Sequence, residues 1–300
     1  MNIETKIEIP EEAFDWYDAY AHGMMDRREF MNRLGSLAVG GLTIAMLTSA
    51  LVPNYAQAEQ VSFNDEDIKA TYARFSSPDG HGEGRGYLVK PSALADSGTA
   101  PTVLVVHENR GLNPYVKDVA RRLAKSGYVA FAPDALHPLG GYPGNDDEGR
   151  SMQSSMDRSK IEADFIAAAR FLKTHAHSNG ILGVVGFCFG GYVSNFLAAS
   201  LPDIVDAAVP YYGTPARTDI VGNVKGPVLV QLAGLDERVN ASWPAYEQVL
   251  KANGASYEMH TYEGVRHGFH NDSTGRYNEE MANLSWERTL AFFATNLSAG

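Results

Sequence analysis

The feature that most constrains the fold of this chain is a glycine-framed stretch at residues 183–195, GVVGFCFGGYVSN. An apolar run leads into Gly186, the only cysteine of the chain stands at Cys188, and Gly190 begins a run rich in small residues. A strand that turns sharply into a helix needs glycines beside the turn, because the two elements pass too closely for Cβ atoms. The stretch therefore predicts a nucleophile elbow, with the Cys188 side chain raised above the end of a strand.

Short apolar segments alternate with segments of helical length along the rest of the chain. The apolar segments are residues 102–108, 128–134, 181–187, 206–213 and 227–236, and the helical segments are residues 115–125, 156–175, 190–199, 243–252 and 279–296. Strands that are buried on both faces have this composition, and helices connect them in parallel sheets. The alternation predicts an α/β fold with a mostly parallel central sheet and helices on both faces.

Two further segments are interpreted by their local pattern. Residues 84–91 alternate apolar and polar side chains, which is typical of an outer or antiparallel strand. Residues 141–150, GYPGNDDEGR, are rich in glycine and polar residues, and we expect them to form an irregular connection.

The cysteine of the elbow requires a base and an acid to act as a nucleophile. A helix that begins behind Cys188 favours a thiolate there, whereas a free cysteine that only packs is the alternative. In this topology the acid and the histidine follow later, each in a loop after a strand. Asp236 and His267 have this placement, so the three residues form a candidate triad; Asp236 is also a candidate helix cap.

Several residues around the triad are candidates for supporting roles. The amides of Asn109 and Phe189 are candidates for the oxyanion hole, because one follows the strand before the first helix and the other follows the nucleophile. Glu108 could hold the thiol protonated, accept its proton, or simply place a charge at a helix N-terminus. Four more residues are candidates for the walls of the substrate pocket: Arg110, Tyr142, Trp243 and His270. For Trp243, packing in the core is an equally open alternative.

The motifs together resemble those of the dienelactone hydrolase family of α/β hydrolases. VVHENRGLN, GYVAFAPD, GFCFGG, LAGLDERV and HGFH occur in the family's order over most of the chain after residue 59. The resemblance implies a triad of Cys188, Asp236 and His267, a thiol partner at Glu108, and oxyanion amides at Asn109 and Phe189.

The sequence departs from that family at two positions. Members that act on dienelactone bind the substrate carboxylate with two arginines, whose places are taken here by Pro138 and Asn271. An anionic lactone is therefore poorly supported as substrate, unless Arg110 or Arg266 compensates from a neighbouring position. The expected reaction is hydrolysis of a small ester or lactone through a cysteine thioester. The alternative is a thiol-reactive sensor that is modified once per chain.

Composition limits the partners of the protein. The net charge of −11 and the absence of a cluster rich in lysine and arginine argue against a nucleic acid partner. A single cysteine excludes an internal disulfide and Cys-x-x-Cys metal frameworks, and His175 and His177 lack a third ligand nearby in the sequence. We therefore expect a small-molecule substrate, no cofactor and no metal, with a homodimer left open.

Residues 1–58 differ from the catalytic domain predicted for residues 59–300. Arg27 and Arg28 precede an apolar run and the Ala-x-Ala sequence at residues 56–58, which resembles a twin-arginine export signal and would place the mature protein in the periplasm. Residues 1–33 carry eight acidic and four basic side chains, which is unusual for a signal. The alternative is a retained helical arm that docks on the body or a second subunit, in a cytoplasmic protein. Membrane contact is expected only for an uncleaved leader.

Overall fold

The computed structural model describes residues 9–39, 42–56 and 58–298. The helices in these ranges are α1 Glu11–Ala21, α2 Arg27–Leu37, α3 Ile44–Leu51, α4 Pro114–Lys125, α5 Asp146–Ser155, α6 Arg158–Lys173, α7 Phe189–Ser200, α8 Glu237–Asn240, α9 Trp243–Ala252 and α10 Glu279–Asn296. The strands are β1 Ile68–Ser77, β2 Gly82–Pro91, β3 Ala100–Val106, β4 Val129–Pro133, β5 Ser178–Phe187, β6 Ala207–Tyr211, β7 Val228–Ala233 and β8 Tyr257–Tyr262. No helix in the described part of the chain is long and apolar enough to cross a membrane.

One sheet joins the strands in the order β1-β2-β4-β3-β5-β6-β7-β8. The strands from β3 onward pair in parallel, and β1 and β2 pair in antiparallel fashion at one edge. This arrangement confirms the predicted α/β-hydrolase fold and the antiparallel strand at residues 84–91. The carboxyl ends of β3, β5, β7 and β8 lie at the same edge of the sheet, where the loops that carry the candidate site residues begin.

The apolar core lies on both faces of the sheet because neighbouring residues of each strand point to opposite sides. On β3, Leu104 faces the core formed with α6, α7 and α9, whereas Val105 faces the core formed with α4 and α10. Both side chains are fully buried. This two-sided burial explains why the strand segments are almost continuously apolar.

The prediction of an irregular connection at residues 141–150 was wrong in its second half. Helix α5 begins at Asp146, because the side chain of Asn145 caps it by accepting a hydrogen bond from the amide of Glu148 at 2.8 Å. Acidic side chains in the first turn also stabilise the positive end of a helix. The capping pattern N-D-D-E is present in the sequence and indicates a helix start.

The described part of the N-terminal segment packs against the rest of the molecule. Helices α1, α2 and α3 share an apolar cluster whose buried members include Tyr17, Phe30, Leu34 and Leu47. We call residues 9–56 the arm and the residues from 58 onward the body. Gln57, in the middle of the Ala-x-Ala sequence, lies outside the described residues.

Candidate active site

The thiol stands on a sharp turn between β5 and α7. Cys188 has a φ of 57°, a backbone conformation that residues other than glycine rarely adopt. A Cβ atom at Gly186 would overlap the carbonyl of Gly190, and one at Gly190 would overlap the carbonyl of Val106. The two glycines are therefore required by close backbone contacts, and the geometry is that of the predicted elbow.

The predicted acid and histidine contact one another beside the elbow. His267 lies in the loop after β8, and its Nδ1 is 2.5 Å from Oδ2 of Asp236, which lies in the loop after β7. Asp236 also caps α8, because its Oδ1 accepts a hydrogen bond from the amide of Val239 at 3.1 Å. The carboxylate therefore has both of the roles considered from the sequence, and it fixes the orientation of the imidazole.

The opposite nitrogen of His267 is aimed at the thiol. The side chain of His267 is 4% exposed, and its Nε2 has no hydrogen-bond partner among the described residues. A ring nitrogen of His267 lies within 4.8 Å of the sulfur of Cys188, and Nδ1 is already bound to Asp236. A buried nitrogen without a partner is costly, so its position next to the partly exposed sulfur indicates a functional contact.

A second histidine, which the sequence analysis missed, contacts the sulfur from the arm. Nε2 of His22 lies 3.5 Å from Sγ of Cys188. Nδ1 of His22 is held by Asp18, at 2.8 Å from its carbonyl oxygen and 3.3 Å from Oδ1. The rings of His22 and His267 meet edge to face with centroids 4.6 Å apart. The sequence analysis included the alternative of a retained arm that docks on the body. That alternative is consistent with this contact, but it named no residue that would make it.

These contacts shift the protonation of the site toward a thiolate and an imidazolium. Burial raises the pKa of the Cys188 thiol, but the positive charge of His267 and the hydrogen bond from His22 outweigh it and hold that pKa well below its usual range. Burial lowers the pKa of His267, yet the thiolate and Asp236 raise it to about 10. Both shifts favour a thiolate and an imidazolium, which is the protonation state that enzymes with a cysteine nucleophile use.

Glu108 is buried close to the site. Its Oε2 accepts a hydrogen bond from the side-chain amide of Asn271 at 3.0 Å, and burial raises its pKa. Among residues 9–39, 42–56 and 58–298, no hydrogen bond joins Glu108 to the sulfur, whose polar neighbour is His22. In this arrangement Glu108 is a buried carboxyl near the thiol but not its direct partner.

The candidate oxyanion residues line a cavity of about 400 Å³ between the arm and the body. Asn109 and Phe189 lie on the body side and His22 lies on the arm side. Phe189 is the first residue of α7, so its amide has no partner within the helix. The side chain of Asn109 donates to the carbonyl of Ala21 at 3.0 Å, which fixes this part of the arm over the cavity.

The sequence model of the Dienelactone hydrolase family matches residues 85–297. The chain belongs to this family. The match includes the elbow and the loops that carry Asp236 and His267, and the chain is accordingly a hydrolase of the dienelactone hydrolase type.

Individual relatives agree with this assignment. A putative carboxymethylenebutenolidase of Aquifex aeolicus is 34% identical over 71% of this chain and 94% of its own. A putative hydrolase fragment of Escherichia coli, YghX, is 60% identical over 39% of this chain and 97% of its own. The crystal structure of a putative dienelactone hydrolase from Klebsiella pneumoniae has a TM-score of 0.64 and 28% identity, and covers 75% of this chain and 99% of that one.

The N-terminal segment matches a different family model. Residues 1–39 match a family described as YqhI-like, and this match ends before the end of the apolar run. The part of the arm up to residue 39 therefore matches a family model of its own, outside the range that matches the dienelactone hydrolase family.

The structure does not bring the four predicted pocket residues to the cavity of this dienelactone hydrolase family member. Arg110 is buried in an ion pair with Asp146 at 2.6 Å, and the hydroxyl of Tyr142 donates to the same carboxylate at 2.8 Å. Trp243 is buried in the core and donates to the carbonyl of Gly213 at 3.1 Å. His270 is buried against Phe187 and Tyr115. Their polar groups contact the protein itself, so the prediction that they wall the pocket was wrong, and for Trp243 the alternative of core packing holds.

Arginines are nevertheless present at the cavity. Arg150 and Arg158 line it from α5 and α6. Arg150 donates to the carbonyl of Tyr20, and Nε of Arg158 is 3.1 Å from Glu162. Arg266, the other residue considered for a substrate carboxylate, is paired with Asp15 of the arm. Each of these guanidinium groups has a partner in the protein.

Proposed function

We propose that the protein hydrolyses a small ester or lactone through a thioester on Cys188. The observation that carries the proposal is the meeting of the elbow sulfur with the His267–Asp236 pair at one edge of the sheet. A thiolate beside an oriented imidazolium is the reactive state of a cysteine nucleophile. The family assignment supports the reaction class.

The proposed reaction has two steps. The thiolate of Cys188 attacks the carbonyl carbon, a C–S bond forms, and the amides of Asn109 and Phe189 stabilise the oxyanion. The oxyanion collapses, the C–O bond breaks, and the leaving oxygen takes a proton from His267. His267 then removes a proton from water, which attacks the thioester and releases the acid and the thiolate. Asp236 holds the imidazole in the required orientation throughout.

The substrate we propose is uncharged and has a good leaving group. A thiolate leaves more readily than an alkoxide, so the tetrahedral intermediate returns to reactants unless the leaving oxygen is stabilised, as in enol lactones and activated esters. The arginines near the cavity have partners in the protein, and the family arginines are replaced by Pro138 and Asn271. The two arginines that line this cavity, Arg150 and Arg158, each contact an oxygen of the protein, so a substrate carboxylate there would have to compete with those contacts.

Cys188→Ala tests the nucleophile. The matched control is Ser200→Ala, at the opposite end of α7. With p-nitrophenyl acetate and an uncharged enol lactone we expect Cys188→Ala to lower kcat/KM at least about 1,000-fold, because removing the nucleophile removes the covalent route. Ser200→Ala should retain the parent value, and a carboxylated dienelactone should be the poorer substrate of the parent protein. Turnover by Cys188→Ala at the parent rate would disprove the mechanism.

The same assay separates the enzyme from the sensor alternative. A sensor releases one nitrophenolate per chain and then stops, with the acyl group retained on Cys188. The hydrolase releases product continuously at a constant rate, and mass spectrometry finds the unmodified thiol after the substrate is consumed. A burst of one equivalent followed by no turnover would favour the sensor.

We also propose that the arm remains on the mature protein. The arm supplies His22 to the thiol, and its Asp18 pairs with Arg276 at 3.1 Å, a body residue whose side chain is 2% exposed. Removing the arm would leave this buried guanidinium without that partner. A retained arm supports the cytoplasmic alternative rather than export through the twin-arginine route.

A further inference from the structure

Three side chains that bind borderline-soft cations converge at one point between arm and body. Sγ of Cys188, a ring nitrogen of His22 and a ring nitrogen of His267 all lie within 4.8 Å of one another. The sequence predicted no metal site, because His22 is 166 residues away from Cys188 in the chain and only the docked arm brings it to the thiol. Thiolate and imidazole are together the preferred ligands of Zn²⁺ in proteins.

We propose that Cys188, His22 and His267 form a binding site for Zn²⁺, with the fourth coordination position left to water or a small anion from the adjacent cavity. Three protein ligands and one open position are the arrangement of zinc sites that exchange ligands, whereas purely structural sites have four protein ligands. His22 lines the cavity, so a fourth ligand has a route to the ion.

The spacing of the ligand atoms fits tetrahedral coordination. With Zn–S near 2.3 Å and Zn–N near 2.1 Å, a sulfur and a nitrogen on one tetrahedral ion lie about 3.5 Å apart. The observed distance from Sγ of Cys188 to Nε2 of His22 is 3.5 Å. The two remaining separations both involve His267 and are 4.8 Å or less. Coordination would require the ring of His267 to move about 1 Å toward the sulfur and toward His22.

Both histidines have the outer contacts that zinc ligands require. A histidine that binds zinc through Nε2 donates its Nδ1 hydrogen to a carboxylate or a carbonyl, which fixes the ring and its tautomer. Nδ1 of His267 contacts Asp236 at 2.5 Å, and Nδ1 of His22 contacts the carbonyl and carboxylate oxygens of Asp18. Binding of Zn²⁺ through Nε2 would therefore displace the proton that this nitrogen carries when the ring is protonated, as metal binding to histidine does in general.

The buried Nε2 of His267 is an independent indication of a ligand. It has no hydrogen-bond partner among the described residues, although its side chain is 4% exposed. Coordination would satisfy this nitrogen. The thiolate and the carboxylates of Asp18 and Asp236 supply negative charge for a dication, and Arg276 faces them as the nearby cation.

Zinc in this site would inhibit the reaction proposed above. Coordination occupies the sulfur lone pair that attacks the carbonyl and the imidazole nitrogen that transfers protons. The inhibition rests on the proposed function, whereas the binding of the ion does not, because it depends only on the three ligands. Zinc binding and hydrolysis can therefore be measured separately.

The direct test is a metal titration of the full chain. The parent protein is freed of metal and titrated with Zn²⁺ against a chromogenic chelator, and with Co²⁺ as a spectroscopic probe. We expect one Zn²⁺ per chain and a thiolate-to-cobalt charge-transfer band, with no competition from excess Mg²⁺, since Mg²⁺ prefers oxygen ligands. Absence of one-to-one binding, or a cobalt spectrum without the thiolate band, would overturn the site.

Variants of the arm assign the ligands. Asp18→Asn is expected to weaken zinc binding about 10- to 100-fold, the usual effect of losing an outer contact, and His22→Ala should weaken it further. His260→Ala is the matched control, because that imidazole lies on β8 against Glu258, and it should bind zinc like the parent. Circular dichroism verifies that each variant is folded. Parent-like affinity in a folded His22→Ala protein would also overturn the proposal.

The inhibition is measured last and separately. With the ester substrate, one equivalent of Zn²⁺ should abolish turnover by the parent protein and a chelator should restore it. If the protein binds zinc through these residues but hydrolyses no ester before zinc is added, the proposed function fails and the metal site stands. If zinc binds but turnover is unaffected, the assignment of these ligands fails.

Discussion

At the scale of residues, the site depends on opposing electrostatic effects on one sulfur. Burial alone would keep the Cys188 thiol neutral, since a thiolate is poorly stabilised away from water. Two imidazoles on the sulfur, each oriented by a carboxylate, reverse that preference. The thiolate and His267 then stabilise each other's charge, which is why the pKa of His267 rises to about 10 while the pKa of Cys188 falls.

This ion pair predicts an unusual pH dependence of alkylation. Iodoacetamide reacts with the thiolate, so an ordinary thiol with a pKa near 8.5 slows about tenfold for each pH unit below that value. Because the pKa of Cys188 is depressed, we expect its rate to change little between pH 9 and pH 7. Modification is followed by mass spectrometry, with glutathione in the same solution as the internal reference.

A His267→Gln variant is the matched comparison for the alkylation profile. Without the imidazolium, the largest effect that lowers the pKa of Cys188 is lost and the contact with His22 remains, so the fall in rate should begin at a higher pH than in the parent. A parent profile that coincides with that of glutathione would contradict the thiolate assignment.

The sequence predicted the residues whose roles depend on local order and missed those that depend on distant contacts. Cys188, Asp236 and His267 are recognisable because each follows a strand in a fixed order. His22 is not, since nothing near residue 22 indicates that its ring meets the elbow. The pocket prediction failed for the same reason. Arg110 follows the strand that leads to the site, but its guanidinium forms an ion pair with Asp146. The sequence does not show which distant residue an arginine pairs with.

At the scale of elements, the elbow is possible only because a strand and a helix touch through backbone atoms. The carbonyl of Val106 on β3 lies where a Cβ of Gly190 would be. Backbone atoms cannot rotate away as a side chain can. The turn therefore depends on glycine at this position more strictly than most glycine-containing turns.

Gly190→Ala is expected to destabilise the fold. The added methyl group meets backbone on β3, and overpacking of this kind costs about 1–3 kcal/mol or more. Gly222→Ala is the matched control, because its Cβ would meet only the side chain of Asn253 at 3.3 Å. Urea unfolding should show a lower free energy of unfolding for Gly190→Ala and a nearly parent value for Gly222→Ala. Equal midpoints in the two variants would contradict the close-contact explanation.

Elements were predictable where their hydrophobic pattern was strong. The buried strands from β3 to β7 and the helix α10 were found from apolar runs and helical periodicity. Strand β1 was not predicted, because its exposed edge carries mixed residues, and the start of α5 was missed although its capping sequence was present. Continuous burial leaves a clear signal in a sequence, whereas edge strands and cap-driven helices leave a weaker one.

At the scale of the whole molecule, the arm and the body share buried polar contacts. The side chain of Asn109 holds the carbonyl of Ala21, the hydroxyl of Tyr55 contacts Asp146 at 2.8 Å, and Arg276 contacts Asp18. A body without the arm would expose the thiol and exchange these contacts for contacts with water, at a net cost of about 0.5–1.5 kcal/mol for each hydrogen bond. The contacts that stabilise the docked arm are therefore also the contacts that keep the arm over the thiol.

The last prediction follows from these shared contacts: the native protein keeps its arm. The intact mass of protein purified from the cells that make it should be that of the full chain, 32.6 kDa, with at most the initiating methionine removed. Substituting both arginines, Arg27→Lys with Arg28→Lys, should change neither this mass nor the cell fraction that contains the protein, because the retained arm proposed here does not act as a twin-arginine signal. A native chain that begins after Ala58, and that lengthens to the full mass in the double lysine variant, would show that the segment is a processed leader.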